Sequence, residues 1–208
     1  MSSILKYASA ALFLACAPHA YAQTTEAESE AETPSETPTE RADGLSTGQP
    51  ENPVGETYVK SEHGDWDLRC ITVPEGQKEP CNLYQLLEDQ NGQSVAEINL
   101  FPLPPEDELA AGATIVTPLE TLLTQQLRLS VDGGQAKVYP FTFCTQIGCF
   151  SRIGFTSGDI DAFKRGNEAK VVVVPMRAPD QRVELTVSLT GFTAAFDAAL
   201  AEAATEAE

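Results

Sequence analysis

Trp66-Asp67-Leu68-Arg69-Cys70-Ile71 alternates large apolar and polar side chains, the period-two pattern of a strand that buries one face. Outward from it, Cys81-Asn82-Leu83-Tyr84-Gln85-Leu86-Leu87 is strand-like again, and Pro74, Gly76 and Pro80 between the two supply a loop. Val95 to Phe101 ends at Pro102, and Ala113 to Val116, Leu127 to Val131 and Lys137 to Phe143 continue the series. Asp132-Gly133-Gly134 is a turn signal between the last two, because glycine accepts the positive φ that hairpin turns require. Cys149 to Phe155, Ala169 to Met176 and Val183 to Leu189 complete the expected strands, the last two joined across Arg177-Ala178-Pro179-Asp180.

Two short helices interrupt this texture. The first is expected over Asp159 to Arg165, with Asp159 and Asp161 in its first turn, Lys164 and Arg165 in its last, and Gly166 placed for a left-handed stop. The second is expected over Thr193 to Leu200, where Phe192, Phe196 and Leu200 recur every four residues and form a face to dock on the sheet. A parallel α/β fold would need a helix between successive strands, so the pattern predicts a mainly β protein, an antiparallel sandwich or barrel.

Four cysteines, Cys70, Cys81, Cys144 and Cys149, follow an N-terminal segment with the layout of a secretory signal. Lys6 supplies the positive region, Tyr7 to Ala17 the apolar run and Ala20-Tyr21-Ala22 the cleavage site, so residues 1–22 are read as a signal peptide. In an exported protein an even cysteine count implies two disulfides. Cys144 and Cys149 enclose Thr-Gln-Ile-Gly, which is neither the two-residue spacing of a redox motif nor a zinc-knuckle pattern. A hairpin staple is the simpler answer, and Cys70 and Cys81 flank their Pro/Gly loop in the same way. Four cysteines allow three pairings, of which strand geometry favours the local one. Cys16 offers a competing reading as a lipidation site at the end of an apolar run, a pattern that Phe13 and Leu14 fit poorly. No transmembrane segment is expected beyond the signal, since stretches such as Val171 to Val174 fall far short of the ~20 residues needed. The expected address is therefore the periplasm, the cell surface or the medium.

Composition divides the remainder. Residues 23–53 carry eight acids, from Glu26 to Glu51, against the single cation Arg41, with Pro34, Pro38, Pro50 and Pro53 interspersed. With Leu45 as the only large aliphatic residue, this stretch cannot offset an ordering entropy of about 1 to 2 kcal/mol per residue and reads as a disordered, self-repelling tether. Residues 54–200 form one domain, and 201–208 an acidic tail. Of the formal charge of −18, the domain holds 20 acids against 11 bases. Such a surface repels phosphate backbones, which argues against nucleic acid as a partner. Lys164, Arg165 and Lys170, the one dense cationic cluster, fit the helix macrodipole better than an anion site.

Gly64-Asp65-Trp66-Asp67-Leu68-Arg69-Cys70 and Pro80-Cys81-Asn82-Leu83-Tyr84-Gln85 resemble the opening of the invasion-associated locus B family. The likeness continues through Pro118-Leu119, Leu127 to Gly133, Phe141-Thr142-Phe143-Cys144 with Gly148-Cys149, and Leu189-Thr190-Gly191-Phe192-Thr193-Ala194-Ala195, from about residue 58 to 200. The resemblance implies an exported bacterial protein with an immunoglobulin-like antiparallel β-sandwich, connected by name to host-cell invasion. It carries over no catalytic residues. The acidic spacer and the Pro102 to Glu108 loop are departures from the pattern.

The residue inventory agrees with that silence about chemistry. After signal removal His63 is the only histidine, which rules out a multi-histidine metal site, and no Gly-x-Ser-x-Gly elbow accompanies it. Beside Gly64 it reads as an exposed loop residue, and Trp66 reads as a core anchor. Glu106-Asp107-Glu108 lacks the spaced oxygen ligands of a calcium loop and reads as a solvated charge run. No cofactor, metal or catalytic residue is expected. The leading expectation is a non-enzymatic exported binding or accessory protein whose partner is a protein or envelope component. The rivals are a carboxylate-dependent hydrolase of cell-wall material, which needs only two acids about 5 to 9.5 Å apart, and a structural envelope-stress protein.

Overall fold

A computed structural model describes residues 53–104 and 108–204. The expected signal peptide, Cys16, the tether up to residue 52, Glu106, Asp107 and the tail from 205 lie outside the described residues. Among the described residues eleven strands occur: β1 (Thr57–His63), β2 (Trp66–Ile71), β3 (Cys81–Glu88), β4 (Ser94–Pro102), β5 (Ala111–Thr117), β6 (Leu127–Val131), β7 (Lys137–Tyr139), β8 (Phe143–Thr145), β9 (Gly148–Phe155), β10 (Glu168–Val173) and β11 (Val183–Ser188). Two helices, α1 (Ser157–Arg165) and α2 (Phe192–Ala204), accompany them, with one 3-10 turn over Leu123–Gln125.

All eleven strands join one antiparallel sheet in the order β7-β6-β10-β11-β3-β4-β5-β9-β8, with β2 also on β3 and β1 on β2. The sheet curls so far that its terminal strands, β7 and β8, are separated in sequence only by Pro140, Phe141 and Thr142. The mainly β antiparallel class, the two helices and the two disulfides agree with the expectation.

Inward residues of the alternating strands fill the curl, and Trp66, Phe155, Phe163 and Phe192 are among the largest side chains that are fully buried. The rings form a chain: Phe155 lies 5.1 Å from Phe163, Phe163 5.3 Å from Phe192, and Phe192 meets the edge of Trp66 at 5.3 Å. Such contacts add to burial itself. Phe163 comes from α1 and Phe192 from α2, so this chain fixes both helices to the sheet.

Several sequence expectations are corrected. The run Lys137 to Phe143 is not one strand, because Pro140 has no N–H for a ladder; its carbonyl instead accepts from Ser151 Oγ at 3.0 Å. The strand expected to reach Met176 ends at Val173, just before Pro175. Helix α1 starts two residues early, at Ser157, where Thr156 and Asp159 form a reciprocal capping box. Gly166 is extended (φ −78°) rather than left-handed; it serves by lacking a side chain, since a Cβ there would lie 2.8 Å from both Leu189 and Val131. Helix α2 runs on to Ala204, and Leu200 is 40% exposed. A spacing of four drifts about 40° per step against the helical period, so two steps carry Leu200 off the face that Phe192, Ala195, Phe196 and Ala199 bury. His63 ends β1, a strand the alternation did not reveal, and is not a loop residue.

Candidate functional site

Aromatic and aliphatic side chains fill most of the curl, and a cleft of about 220 Å³ reaches the core residues Leu129, Phe155 and Phe163. A groove of about 630 Å³ lies where β2 ends, β3 begins, β4 ends and α2 passes. Ile71, Pro80, Phe101, Pro102 and Ala199 give it apolar walls, and Lys78, Glu79 and Glu202 lie along it. Local sequence dictates the construction. Pro74 and Pro80 break the strand pattern, and Cys70 and Cys81 are direct register partners joined by a disulfide, with Cα atoms 4.1 Å apart. The bridge pins the loop's two ends together, so the loop is held at the groove.

The far side is closed by a clasp that local sequence does not announce. The last turn of α2 contains no basic residue, yet its terminal carbonyls need partners. Lys78 Nζ donates to the Ala203 carbonyl at 3.0 Å, and Lys60 Nζ reaches Glu202 at 2.8 Å. Two cations from the sheet side thus stand at the negative end of the helix. Beside them the Tyr58 hydroxyl donates to the Glu79 carboxylate. Burial first, then that hydrogen bond and the charges of Glu79 and Glu202, push the Tyr58 phenol up to about 12.

A second cluster lies where the Gly64 turn meets the segment entering α2. Gln85 is buried: its Nε2 donates to the carbonyls of Asp65 (2.9 Å) and Ser188 (3.1 Å), and its Oε1 accepts from the Ser188 amide (2.8 Å). Trp66 Nε1 donates to the same Ser188 carbonyl at 2.8 Å, and Ser188 Oγ donates to Asp65 at 2.5 Å. The backbones approach so closely that a Cβ on Gly191 would sit 2.0 Å from the His63 carbonyl oxygen. These bonds lock the two turns together.

These residues, Gly64 to Trp66, Gln85 and Leu189 to Phe192, belong to the motifs that carry the sequence likeness. The family model for the invasion associated locus B protein matches residues 66–200. The chain belongs to the invasion associated locus B family. Its fold is similar to that in the crystal structure of invasion associated protein B from Bartonella henselae, at a TM-score of 0.57 and 22% identity, covering 68% of this chain and 94% of that one. No curated protein matches the chain.

Within this family member the singled-out residues fall as follows. Cys144 and Cys149 are register partners of the β8–β9 hairpin, bonded with Cα atoms 4.0 Å apart. His63 Nε2 lies 2.9 Å from Ser61 Oγ. The cationic cluster is engaged by acids: Lys164 pairs with Asp197 at 2.8 Å, Arg165 approaches Asp161 at 3.9 Å, and Lys170 lies 3.6 Å from Glu184. Among the described residues no group of three or more His, Cys, Asp or Glu side chains forms a metal-ligand set, and no helix is long and apolar enough to cross a membrane. The carboxyls of Asp89 and Asp159 are both held below their ordinary range. Backbone amides of Gln93 and Asn91 lower Asp89. Burial would raise Asp159, but hydrogen bonds from Lys137, at 2.6 Å, and Thr156 outweigh it.

Proposed function

We propose that this family member is an exported, non-enzymatic binding or accessory protein of the bacterial envelope, with periplasm, cell surface or medium as its destination. The carrying observation is the filled interior: aromatic and aliphatic side chains occupy the curl, so contact surface is offered by the outer face, the rims and the groove under α2. Two cross-strand disulfides support an oxidising address. In this reading residues 1–22 are removed, and residues 23–53 act as an acidic tether with a reach between about 30 Å as a coil and about 95 Å as polyproline. The immunoglobulin-like description belongs to the same proposal. Its support is that β1-β2-β3-β4-β5-β9-β8 and β7-β6-β10-β11 share the single ladder pair Thr186↔Glu88, so the sheet divides naturally into two layers hinged there.

Crosslinking in intact cells, followed by fractionation and identification of joined partners, tests the reading. Recovery of a processed, disulfide-bonded chain joined to an envelope component is the expected result. A chain that stays cytoplasmic with reduced cysteines overturns it, and so does turnover of cell-wall material by the purified protein.

A further inference from the structure

The two rims of the sheet differ. The described chain enters at Pro53, and the Gly55 amide bonds the Thr72 carbonyl while the Thr72 amide bonds the Glu56 carbonyl, which places the entry at the rim where β2 ends and β3 begins. Strand β5 runs from that rim, where Ala111 faces Pro102, to the other, where Thr117 faces Cys149. The far rim carries the loops β5–β6, β8–β9 and β10–β11. On it Ile147 is 77% exposed, Met176 56%, Leu119 53% and Leu123 41%. Backbone bonds hold these loops side by side: Met176 N donates to the Glu120 carbonyl and Leu122 N to the Val174 carbonyl, each at 2.7 Å. Ile147 shares a shallow groove with Thr117 and Pro118, next to Leu119. On these loops Glu120 and Arg177 neutralise each other at 2.7 Å, Asp180 and Arg182 add one charge of each sign, and Glu97 lines the Ile147 groove.

We infer that this far rim is a lipid-contact surface, which inserts Leu119, Leu123, Ile147 and Met176 into the interface of a zwitterionic bilayer. Protein hot spots favour Trp, Tyr and Arg and disfavour Leu; these tips carry aliphatic side chains, and Arg177 is tied to Glu120. A fluid interface needs apolar area at protruding tips and no matching shape. The domain's 20 acids against 11 bases select the lipid, because an anionic surface repels the rest of the molecule.

This inference rests on the reading of the chain as an exported envelope module, but vesicle binding in vitro tests the rim separately from export. The probe is flotation of the chain, as recovered after export, with phosphatidylcholine vesicles. The expected result is co-flotation that falls roughly tenfold in the Leu119→Asp/Ile147→Asp variant and survives in Ile147→Leu. Adding phosphatidylglycerol should weaken binding, and salt should restore it by screening. An unchanged melting temperature shows that the double variant is folded, and should it unfold, Met176→Asp alone gives the same comparison. Absence of flotation overturns the inference, as does equal flotation of parent and variants. Binding that anionic lipid strengthens and salt abolishes overturns it too. So does loss of a protein crosslink in the double variant while the parent ignores vesicles, which assigns the rim to a protein partner.

Discussion

The carboxamide of Gln85 closes on the main chain of Ser188 from both sides, accepting from its amide at 2.8 Å and donating to its carbonyl at 3.1 Å. Strands β3 and β11 share only the ladder pair Thr186↔Glu88. The side chain therefore does what a further rung of backbone would do, three residues along β3. Replacing it by leucine preserves bulk but strands the part-buried Ser188 amide and Asp65 carbonyl. At about 1 to 3 kcal/mol per unsatisfied group, Gln85→Leu should cost about 2 to 4 kcal/mol in urea denaturation. A cost below about 0.5 kcal/mol, the ordinary surface level, would show that the rung is dispensable.

Non-reducing peptide mapping should return Cys70 joined to Cys81 and Cys144 joined to Cys149, the two register pairs. Under limiting reductant the second bridge should open first, because Cys144 is exposed whereas Cys70 is fully buried. Its loss should also cost less. The sequence separations are 5 and 11 residues, and loop entropy then gives about 2 kcal/mol for Cys144–Cys149 and about 3 kcal/mol for Cys70–Cys81. Simultaneous opening, or any peptide linking an early to a late cysteine, would refute the assignment.

Tyr58 predicts an alkaline weak point beside the groove. Its folded-state pKa lies above the unfolded value of 10.0, at about 12, so in that window the folded chain holds a proton that the unfolded chain has lost. Stability is then fully present below pH 10 and falls as the pH rises toward 12. Tyr58→Phe should flatten part of that fall in a series of urea midpoints against pH, while the raised phenols of Tyr84 and Tyr139 keep the remainder. Identical slopes for parent and variant would mean that the contact with Glu79 does not persist in solution.

Much of the sheet was legible because alternation is local: β2 and β6 have the bounds their sequence pattern predicts. Strand β1 was not, since its register shifts between Val59 and Ser61 and none of its side chains is fully buried. The clasp on α2 was illegible for a different reason, because Lys78 and the Ala203 carbonyl lie 125 residues apart and no local pattern links them. Gln85 did leave a signal. It stands between Leu83 and Leu87 on the inward face of β3, and a polar side chain at such a position requires partners. Which partners they are depends on the curl, and that is set by the whole sheet.

The apolar face of α2 separates two phenylalanine and leucine positions that sequence spacing had grouped. Phe196 is buried, with its ring 5.7 Å from that of Phe192 and Lys164 Nζ 5.0 Å above it, whereas Leu200 is partly exposed beyond the buried edge. Phe196→Ala removes a ring from the packed interior and should cost about 3 to 5 kcal/mol, a large share of the total stability of a small domain. Leu200→Ala, with much of its side chain already in water, should cost under about 1 kcal/mol. Urea or thermal denaturation of both variants reads the contrast. Equal losses would restore the fourfold spacing as the true face and require α2 to rotate on the sheet; stability untouched by Phe196→Ala would detach the helix from the core altogether.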